Sequence, residues 1–464
     1  MYKLSRYTLT TRDEEGRALW YNSATGARVV LNAREARLAD AWASDPGGLP
    51  GLDREGKAVA PERGAVFSDE GTDEVRLAAR LVREGFFVPE SRREVAELLT
   101  RLKEERRATG HLGLTVLATL DCNLACPYCV VPVTQGLGYM SPRVQQRLLA
   151  WWKEQLTGRT SCSIDWMGGE PLLYPDAFWA LSGELLAIAQ SMGVKVARHA
   201  IATNGTCVTP ELAEQLRSIG VNHVQITLDG PEPYHDRSRP AATGDGTYRR
   251  ILEGLKAVAP VCETQVRVNL TAENVEATER LLADLAAEGL SGKIQVYPAR
   301  VFEPEIRRGS LHAPTLNRDT FARAAIRFSV AAMEHGFPPG RLPPPARGGF
   351  CGAHRRSHFV VGPRGRLYGC PGRVTPDGRY AVGSIFTSDR SPGQEANQAY
   401  YDRHGPTKAK GCLDCSLLPV CLGGCPEISR STGDVVDECI PLRFCLDKQL
   451  VIEHEWLKLM EEES

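Results

Sequence analysis

Residues 113–129 read GLTVLATLDCNLACPYC, and this stretch decides the fold. Gly113–Leu120 is an apolar run of strand length, rich in the residues that suit a buried strand. It passes directly into Cys122, Cys126 and Cys129, a CxxxCxxC at a strand end. Five similar runs follow: CSIDWMGG, VARHAIATNG, NHVQITLDG, TQVRVNLTA and KIQVYPAR. Helical stretches alternate with them. Ser141-Pro142 opens the first, supplying an N-cap and a proline at the first helical position. Thr209-Pro210 opens the third in the same way, and Gly220 closes it. The other helices are expected near 175–192, 247–259, 274–289 and 319–335.

Six β/α units in succession predict parallel strands with right-handed crossovers. The expected fold class is α/β, a partial (β/α)6 barrel of the TIM type over residues 109–336. Chemistry in such barrels sits on the loops after the strand C-termini. Residues 1–108 read as a separate module. KLSRYTLTTR and RALWYNSATGARVVL alternate like strands around a turn at Asp-Glu-Glu-Gly, and helical patterns follow, the last over 91–108. Two strands followed by helices resemble a winged-helix element of the kind that recognises precursor peptides; a plain structural extension is the alternative. Residues 337–349 are rich in Pro and Gly and read as a linker. A cysteine-rich region occupies 350–464.

The chain has 464 residues, enough for two or three domains. Hydrophobic residues make up 42% and charged residues 24%, as in a globular protein, and the net charge of −1 implies no bulk attraction to nucleic acid or anionic lipid. The N-terminal MYKLSRYTLTTRDEEG lacks a signal-peptide core, and no later run is long enough to span a bilayer. The expected location is the cytoplasm. There, fourteen cysteines are read first as metal ligands, not disulfides. Three form the tight trio and eight lie beyond residue 350: Cys351, Cys370, Cys412, Cys415, Cys421, Cys425, Cys439 and Cys445. Cys162, Cys207 and Cys262 are scattered and read as small hydrophobes.

Three thiolates can hold three irons of a [4Fe–4S] cluster. The fourth iron is then open to an amine and a carboxylate, and the methionine end of S-adenosylmethionine (SAM) provides both. An electron from the cluster can break the adjacent sulfonium bond, giving methionine and a 5′-deoxyadenosyl radical. Zinc, the alternative, wants a fourth Cys or His nearby, and the nearest downstream histidine is His199.

With Tyr128 before the last cysteine, the trio resembles the radical SAM signature, in which the aromatic packs near the adenine. WMGGEPLL at 166–173 resembles the family's GGEP motif. The resemblance implies that Gly168 and Gly169 bring backbone to the methionine amine and that Glu170, followed by Pro171, orients it. ATNGT at 202–206 and ITLDGP at 226–231 resemble the next strand-end loops, placing Thr203, Asn204, Thr227 and Asp229 near the SAM ribose and carboxylate. Asn269 sits at the corresponding end of the fifth strand. HDRSRP at 235–240 is also typical of this branch; Arg239 is expected to pair with a carboxylate of SAM or substrate, or to form a surface salt bridge.

The run CLDCSLLPVCLGGC, with its flanking cysteines, resembles a SPASM domain, which carries one or two auxiliary [4Fe–4S] clusters. By resemblance, Cys351, Cys370 and Cys425 hold the first, and Cys412, Cys415, Cys421 and a late cysteine hold the second. The family's extra early ligand is missing, and Ser357 and His358 stand near its place. The first cluster is therefore expected to keep an open iron or to take Cys445. Cys439 is the expected last ligand of the second, with Cys445 as the alternative. A zinc ribbon is the competing reading.

The resemblance implies a peptide or small-protein substrate, an external one-electron reductant of flavodoxin or ferredoxin type, and no nucleic-acid or membrane partner. Expected outcomes are thioether or carbon–carbon cross-links, epimerisation, or side-chain oxidation to an aldehyde. In sulfatase maturation an Asp follows the second auxiliary cysteine as base; here Pro371 follows Cys370, which disfavours that activity. A small-molecule SAM enzyme and a non-catalytic zinc or electron-transfer protein are the other readings. Asp165, Asp229, Glu303 and His354 are the candidate bases.

Overall fold

The computed structural model describes residues 2–50, 69–131, 135–303, 315–340, 342–346, 351–408, 411–432 and 439–462. The N-terminal unit contains β1 (Tyr2–Leu4), β2 (Thr8–Arg12), β3 (Ala18–Asn22), β4 (Arg28–Leu31), α1 (Ala33–Ser44), α2 (Asp69–Arg83), β5 (Phe87–Pro89) and α3 (Glu94–Arg107). The two long strands expected here each split. Ser5–Tyr7 turns the chain, so β1 leaves to pair antiparallel with β5 while β2, β3 and β4 form a meander. A second turn follows Asn22, whose carboxamide oxygen accepts from the Ala24 and Thr25 amides at 2.8 and 3.1 Å. Asn32 and Glu35 close a capping box at the start of α1. Trp20, Trp42, Leu81 and Phe86 fill the core beneath.

This unit docks on the C-terminal region. Tyr21 donates to the Pro343 carbonyl at 2.9 Å, and Arg28 pairs with the buried Glu453 at 2.8 Å. Leu19 and Tyr21 pack with Leu342, Leu417, Leu446 and Leu450. Within the expected linker, residues 341 and 347–349 lie outside the described residues.

The six expected parallel strands are present: β6 (His111–Val116), β7 (Ser161–Trp166), β8 (Lys195–Ala202), β9 (His223–Thr227), β10 (Glu263–Leu270) and β11 (Gln295–Arg300). They lie side by side in chain order, and every pairing among them is parallel. Helices α4 (Pro142–Leu156), α5 (Pro175–Ser191), α6 (Pro210–Ser218), α7 (Glu232–Ser238), α8 (Tyr248–Val258), α9 (Thr278–Ala287) and α10 (Arg318–Glu334) connect or follow them. Alternation along the strands sorts the side chains. Leu112, Leu114, Val116, Ile164, Trp166, Val224, Ile226, Val266 and Val268 join Trp152 and Phe178 in the main core. Each such side chain contributes roughly 1.5–3 kcal/mol by leaving water. The opposite face carries Thr115, Asp165, Arg198, Gln225, Arg267 and Tyr297, a polar inner wall with Asp165 and Arg198 2.9 Å apart and Tyr297 donating to Gln225 at 2.6 Å.

The sheet does not stop at the expected domain boundary. β12 (His358–Val361) adds parallel to the free side of β6, and β13 (Arg366–Tyr368) and β14 (Gly383–Ser384) follow antiparallel, giving nine strands. Gly113 makes room: a Cβ there would meet the His358 ring at 2.4 Å. Among the described residues β11 is an edge of the sheet. The C-terminal region continues with α11 (Pro392–Arg403), α12 (Leu418–Cys421), α13 (Pro426–Thr432) and α14 (Leu446–Glu462). Among the described residues no helix is long and apolar enough to cross a membrane.

Candidate active site

Beyond Val116 the chain leaves β6 and runs against the segment after β7, continuing the ladder as a loop-to-loop contact. Met167, Gly169 and Glu170 donate their amides to Val116, Thr119 and Asp121 carbonyls at 3.1, 3.1 and 2.8 Å. Gly168 has φ +143°, and a Cβ on it would lie 2.5 Å from the Thr119 oxygen; on Gly169 it would lie 1.9 Å from the Asp121 oxygen. The two glycines thus allow one backbone to lie directly on another at the root of the cysteine loop.

Glu170 is fully buried. Its carboxylate accepts from the Thr203 hydroxyl and the Asn204 amide, both at 2.7 Å, and from the Leu172 amide at 3.0 Å, capping the short turn that Pro171 opens. Burial pushes its pKa up, and these hydrogen bonds pull against that. Asn204 reaches the Cys122 sulfur at 3.7 Å and Asn123 at 2.8 Å. The GGEP and ATNGT segments are therefore one brace under Cys122.

The other side of the loop is held by Tyr128, Asp229, Arg239 and Asn269, all buried. The Tyr128 hydroxyl donates to Asp229 and accepts from Arg239 Nη1 at 2.8 Å; the Asn269 side chain reaches Asp229 at 3.1 Å. Burial is the main reason the Tyr128 hydroxyl stays protonated far above its ordinary range. Arg239 is only 8% exposed, which corrects the surface salt-bridge reading. Thr227 ends β9 opposite Arg267.

Several contributors were missed in the sequence. Asp121 accepts from the Leu137 and Gly138 amides at 3.0 and 2.9 Å and from the Tyr174 hydroxyl at 2.8 Å. Burial works to raise its pKa, but these donors hold it below the usual range. Asn123 donates to Thr206 at 2.8 Å. His235 accepts from the Asp229 amide at 3.3 Å and meets Thr247 at 3.1 Å. HDRSRP was the available signal: its Pro240 carbonyl accepts from Ala125 inside the cysteine loop at 2.9 Å.

Of the candidate bases, Asp165 faces the inner wall beside Arg198, Asp229 is consumed by the Tyr128 network, and His354 bonds His404 at 3.0 Å. Glu303 lies just beyond β11, partly exposed. The geometry singles out none of them.

The donor sets fit iron–sulfur clusters. Among the described residues no three cysteine sulfurs lie within 4.8 Å of one another. Thiolates sharing one zinc ion, with bonds of about 2.3 Å, would sit about 3.8 Å apart. His199 is no zinc ligand for the trio either. It faces the helix layer, where its Nε2 accepts from the Trp166 indole at 3.1 Å and its Nδ1 meets the Ile219 carbonyl at 3.2 Å. Burial pushes the Cys122 thiol up to about 12 and Cys126 to about 11, so metal loading must displace protons.

Seven of the eight late cysteines fall into two groups whose sulfurs act on one another. Cys351, Cys370 and Cys425 act on one another electrostatically, as do Cys412, Cys415, Cys421 and Cys439. Arg443 donates to the Cys439 sulfur at 3.0 Å. Cys445 is not among these groups of mutually acting sulfurs in the described residues. Its thiol is buried and donates to the Pro441 carbonyl at 3.6 Å, and among the described residues Asp447 and Lys448 act on it electrostatically.

Comparison with known proteins agrees with this geometry. The family profile of the radical SAM superfamily matches residues 116–285. The chain is 28% identical over 341 residues to the mycofactocin maturase of Mycobacterium ulcerans, covering 70% of this chain and 87% of that protein. It is 25% identical over 338 residues to the serine-type anaerobic sulfatase-maturating enzyme of Klebsiella aerogenes, covering 68% and 79%. It is 28% identical over 221 residues to the PqqA peptide cyclase of Streptomyces rochei, covering 47% and 56%. The structure of anSMEcpe with bound AdoMet has the same fold, with a TM-score of 0.56 at 18% identity over 75% of this chain and 98% of that one. With a CxxxCxxC loop braced at the C-terminal end of parallel strands, and a family match that begins at the last residue of β6 and spans β7 to β10, residues 116–285 form a radical SAM domain.

Proposed function

We propose that this chain is a peptide maturase that cleaves SAM reductively and uses the resulting radical to oxidise a ribosomally made peptide. When bound, the cluster of the trio and SAM supply a 5′-deoxyadenosyl radical able to take hydrogen from an unactivated carbon. The residues of the chain orient and enclose. Gly168 and Gly169 offer backbone to the methionine amine, and Glu170 fixes the loop that carries it. Thr203, Asn204, Thr227, Asp229 and Asn269 would line the ribose and carboxylate, and Arg239 would be a buried cation available to that carboxylate. The inner wall of β6–β11 receives the target residue.

The observation that carries the reading is that the CxxxCxxC trio and two further groups of cysteines each bring their sulfurs close enough to act on one another within one fold. Auxiliary clusters held by Cys351, Cys370 and Cys425 and by Cys412, Cys415, Cys421 and Cys439 would supply an electron acceptor, which suits a net oxidation. The relatives named as maturases and as a peptide cyclase favour a peptide, and a thioether or carbon–carbon cross-link is the favoured product. Residues 1–108 act as the precursor-recognition module. The reductant is a flavodoxin or ferredoxin, and the reducing cytoplasm is the setting. Sulfatase-type oxidation is the second reading, favoured by one relative, but Pro371 stands where that chemistry needs its Asp.

Anaerobic reconstitution tests this. We expect about twelve irons and twelve sulfides per chain, 5′-deoxyadenosine on reduction with SAM, and a loss of two hydrogens in a short peptide encoded beside the gene. Zinc without sulfide, or no 5′-deoxyadenosine, would sink the enzyme reading. Unchanged peptide binding after deletion of residues 1–90 would remove the recognition role.

A further inference from the structure

The loops carrying Cys351, Cys370 and Cys425 come from three separate parts of the chain. The β12–β13 pairing joins the segments of Cys351 and Cys370, and side chains around the end of α11 tie the Cys425 loop to them. The turn after Cys351 is tied through His354 to His404 at 3.0 Å, and His404 continues to Ser429 at 2.9 Å. The turn after Cys370 sends Arg373 into an ion pair with Glu427, two residues beyond Cys425. Tyr401 donates to the other Glu427 oxygen at 2.5 Å, and Tyr400 donates to the Pro426 carbonyl at 2.5 Å. The Tyr401 ring lies so close to the chain before Cys370 that a Cβ on Gly369 would meet it at 2.4 Å.

Arg373 and Glu427 are 1% and 4% exposed. The guanidinium also lies 4.7 Å from the centre of the Tyr380 ring. A buried ion pair gains little stability over apolar residues of the same size, because both charges must leave water. Its place in the wall of a three-cysteine set supplies another role. Glu427 acts electrostatically on all three sulfurs. A carboxylate held there opposes an added electron, and a guanidinium held there favours it.

We propose that the Arg373–Glu427 ion pair is a charge clamp that positions the three-cysteine auxiliary cluster and sets its reduction potential. The proposal rests on the reading that Cys351, Cys370 and Cys425 hold a cluster. Arg373 and Glu427 are positioning residues, and Tyr401 trims the charge of the carboxylate by donating to it. The four-cysteine set is served differently, by the direct Arg443 contact to Cys439.

The test is a redox titration of the reconstituted holoenzyme followed by electron paramagnetic resonance. In Glu427→Gln one cluster signal should rise in midpoint potential. The shift should be at least a tenfold change in its reduced-to-oxidised ratio at fixed potential, about 59 mV for one electron, with the other two signals unmoved. Arg373→Gln should move the same signal downward, and Arg443→Gln should move a different one. Tyr401→Phe changes no formal charge and should lower the first signal by less. If Glu427→Gln fails to assemble that cluster, Tyr401→Phe still decides the matter. Unchanged potentials in the variants at full iron content would overturn the clamp. A wild-type chain holding only about four irons would instead overturn the cluster reading beneath it.

Discussion

Replacing Gly169 with alanine would put a methyl carbon 1.9 Å from the Asp121 carbonyl oxygen, well inside contact distance. The obstruction is backbone, so no side-chain rotation relieves it. Either the 167–170 segment or the 119–121 segment must move by more than an ångström. That breaks the hydrogen bonds that the Gly169 and Glu170 amides donate, 3.1 and 2.8 Å long. Overpacking costs about 1–3 kcal/mol, and each lost hydrogen bond about 0.5–1.5 kcal/mol. The sum is about 2–6 kcal/mol, a large part of the roughly 5–15 kcal/mol that holds a domain folded. Gly183 on α5 is the control, because a Cβ there meets nothing within 4 Å. Gly183→Ala should match or stabilise the protein by up to about 1 kcal/mol, since glycine weakens helix interiors. Thermal unfolding of both variants, with iron content and 5′-deoxyadenosine formation, forms the assay. Gly169→Ala should melt earlier and lose the trio's cluster. Wild-type melting, iron and turnover in Gly169→Ala would refute the backbone-on-backbone account.

Cys439→Ala should lose the irons of the four-cysteine set, whereas Cys445→Ala should keep the full complement; iron analysis after reconstitution distinguishes them. Tyr128→Phe removes the hydroxyl shared by Asp229 and Arg239 and should weaken SAM binding at least tenfold, measured by equilibrium titration, while leaving the trio's iron in place. Burial lowers the His199 pKa to about 4, against about 6.5 when unfolded. The unfolded state binds the extra proton first, so stability is complete above pH about 6.5 and falls as pH drops toward 4, by up to about 3 kcal/mol. His199→Gln should flatten that stretch of a pH–denaturation profile, and an unchanged slope would count against the buried neutral ring.

Much of the barrel was legible because its signals are local. Strand runs alternate with helices, prolines sit at the first helical positions, and the motifs fall on consecutive strand ends. α7 was not foreseen as a helix, because HDRS is too short to show a helical period. The N-terminal strands were misjoined for a related reason: alternation continues across Ser5–Tyr7 and Asn22–Gly26, where side-chain hydrogen bonds turn the chain.

By itself, the sequence determined the trio, the order of the strand-end motifs and the candidate SAM residues, all of which depend on spacing along one stretch of chain. Only the tertiary structure decided which distant cysteines come near one another and that Arg239 is buried. It also decided that β12 extends the barrel sheet beside β6 and that the N-terminal unit rests on the C-terminal region. Those outcomes depend on contacts between residues hundreds of positions apart. Burial and close approach choose the partners there, and no local pattern records the choice.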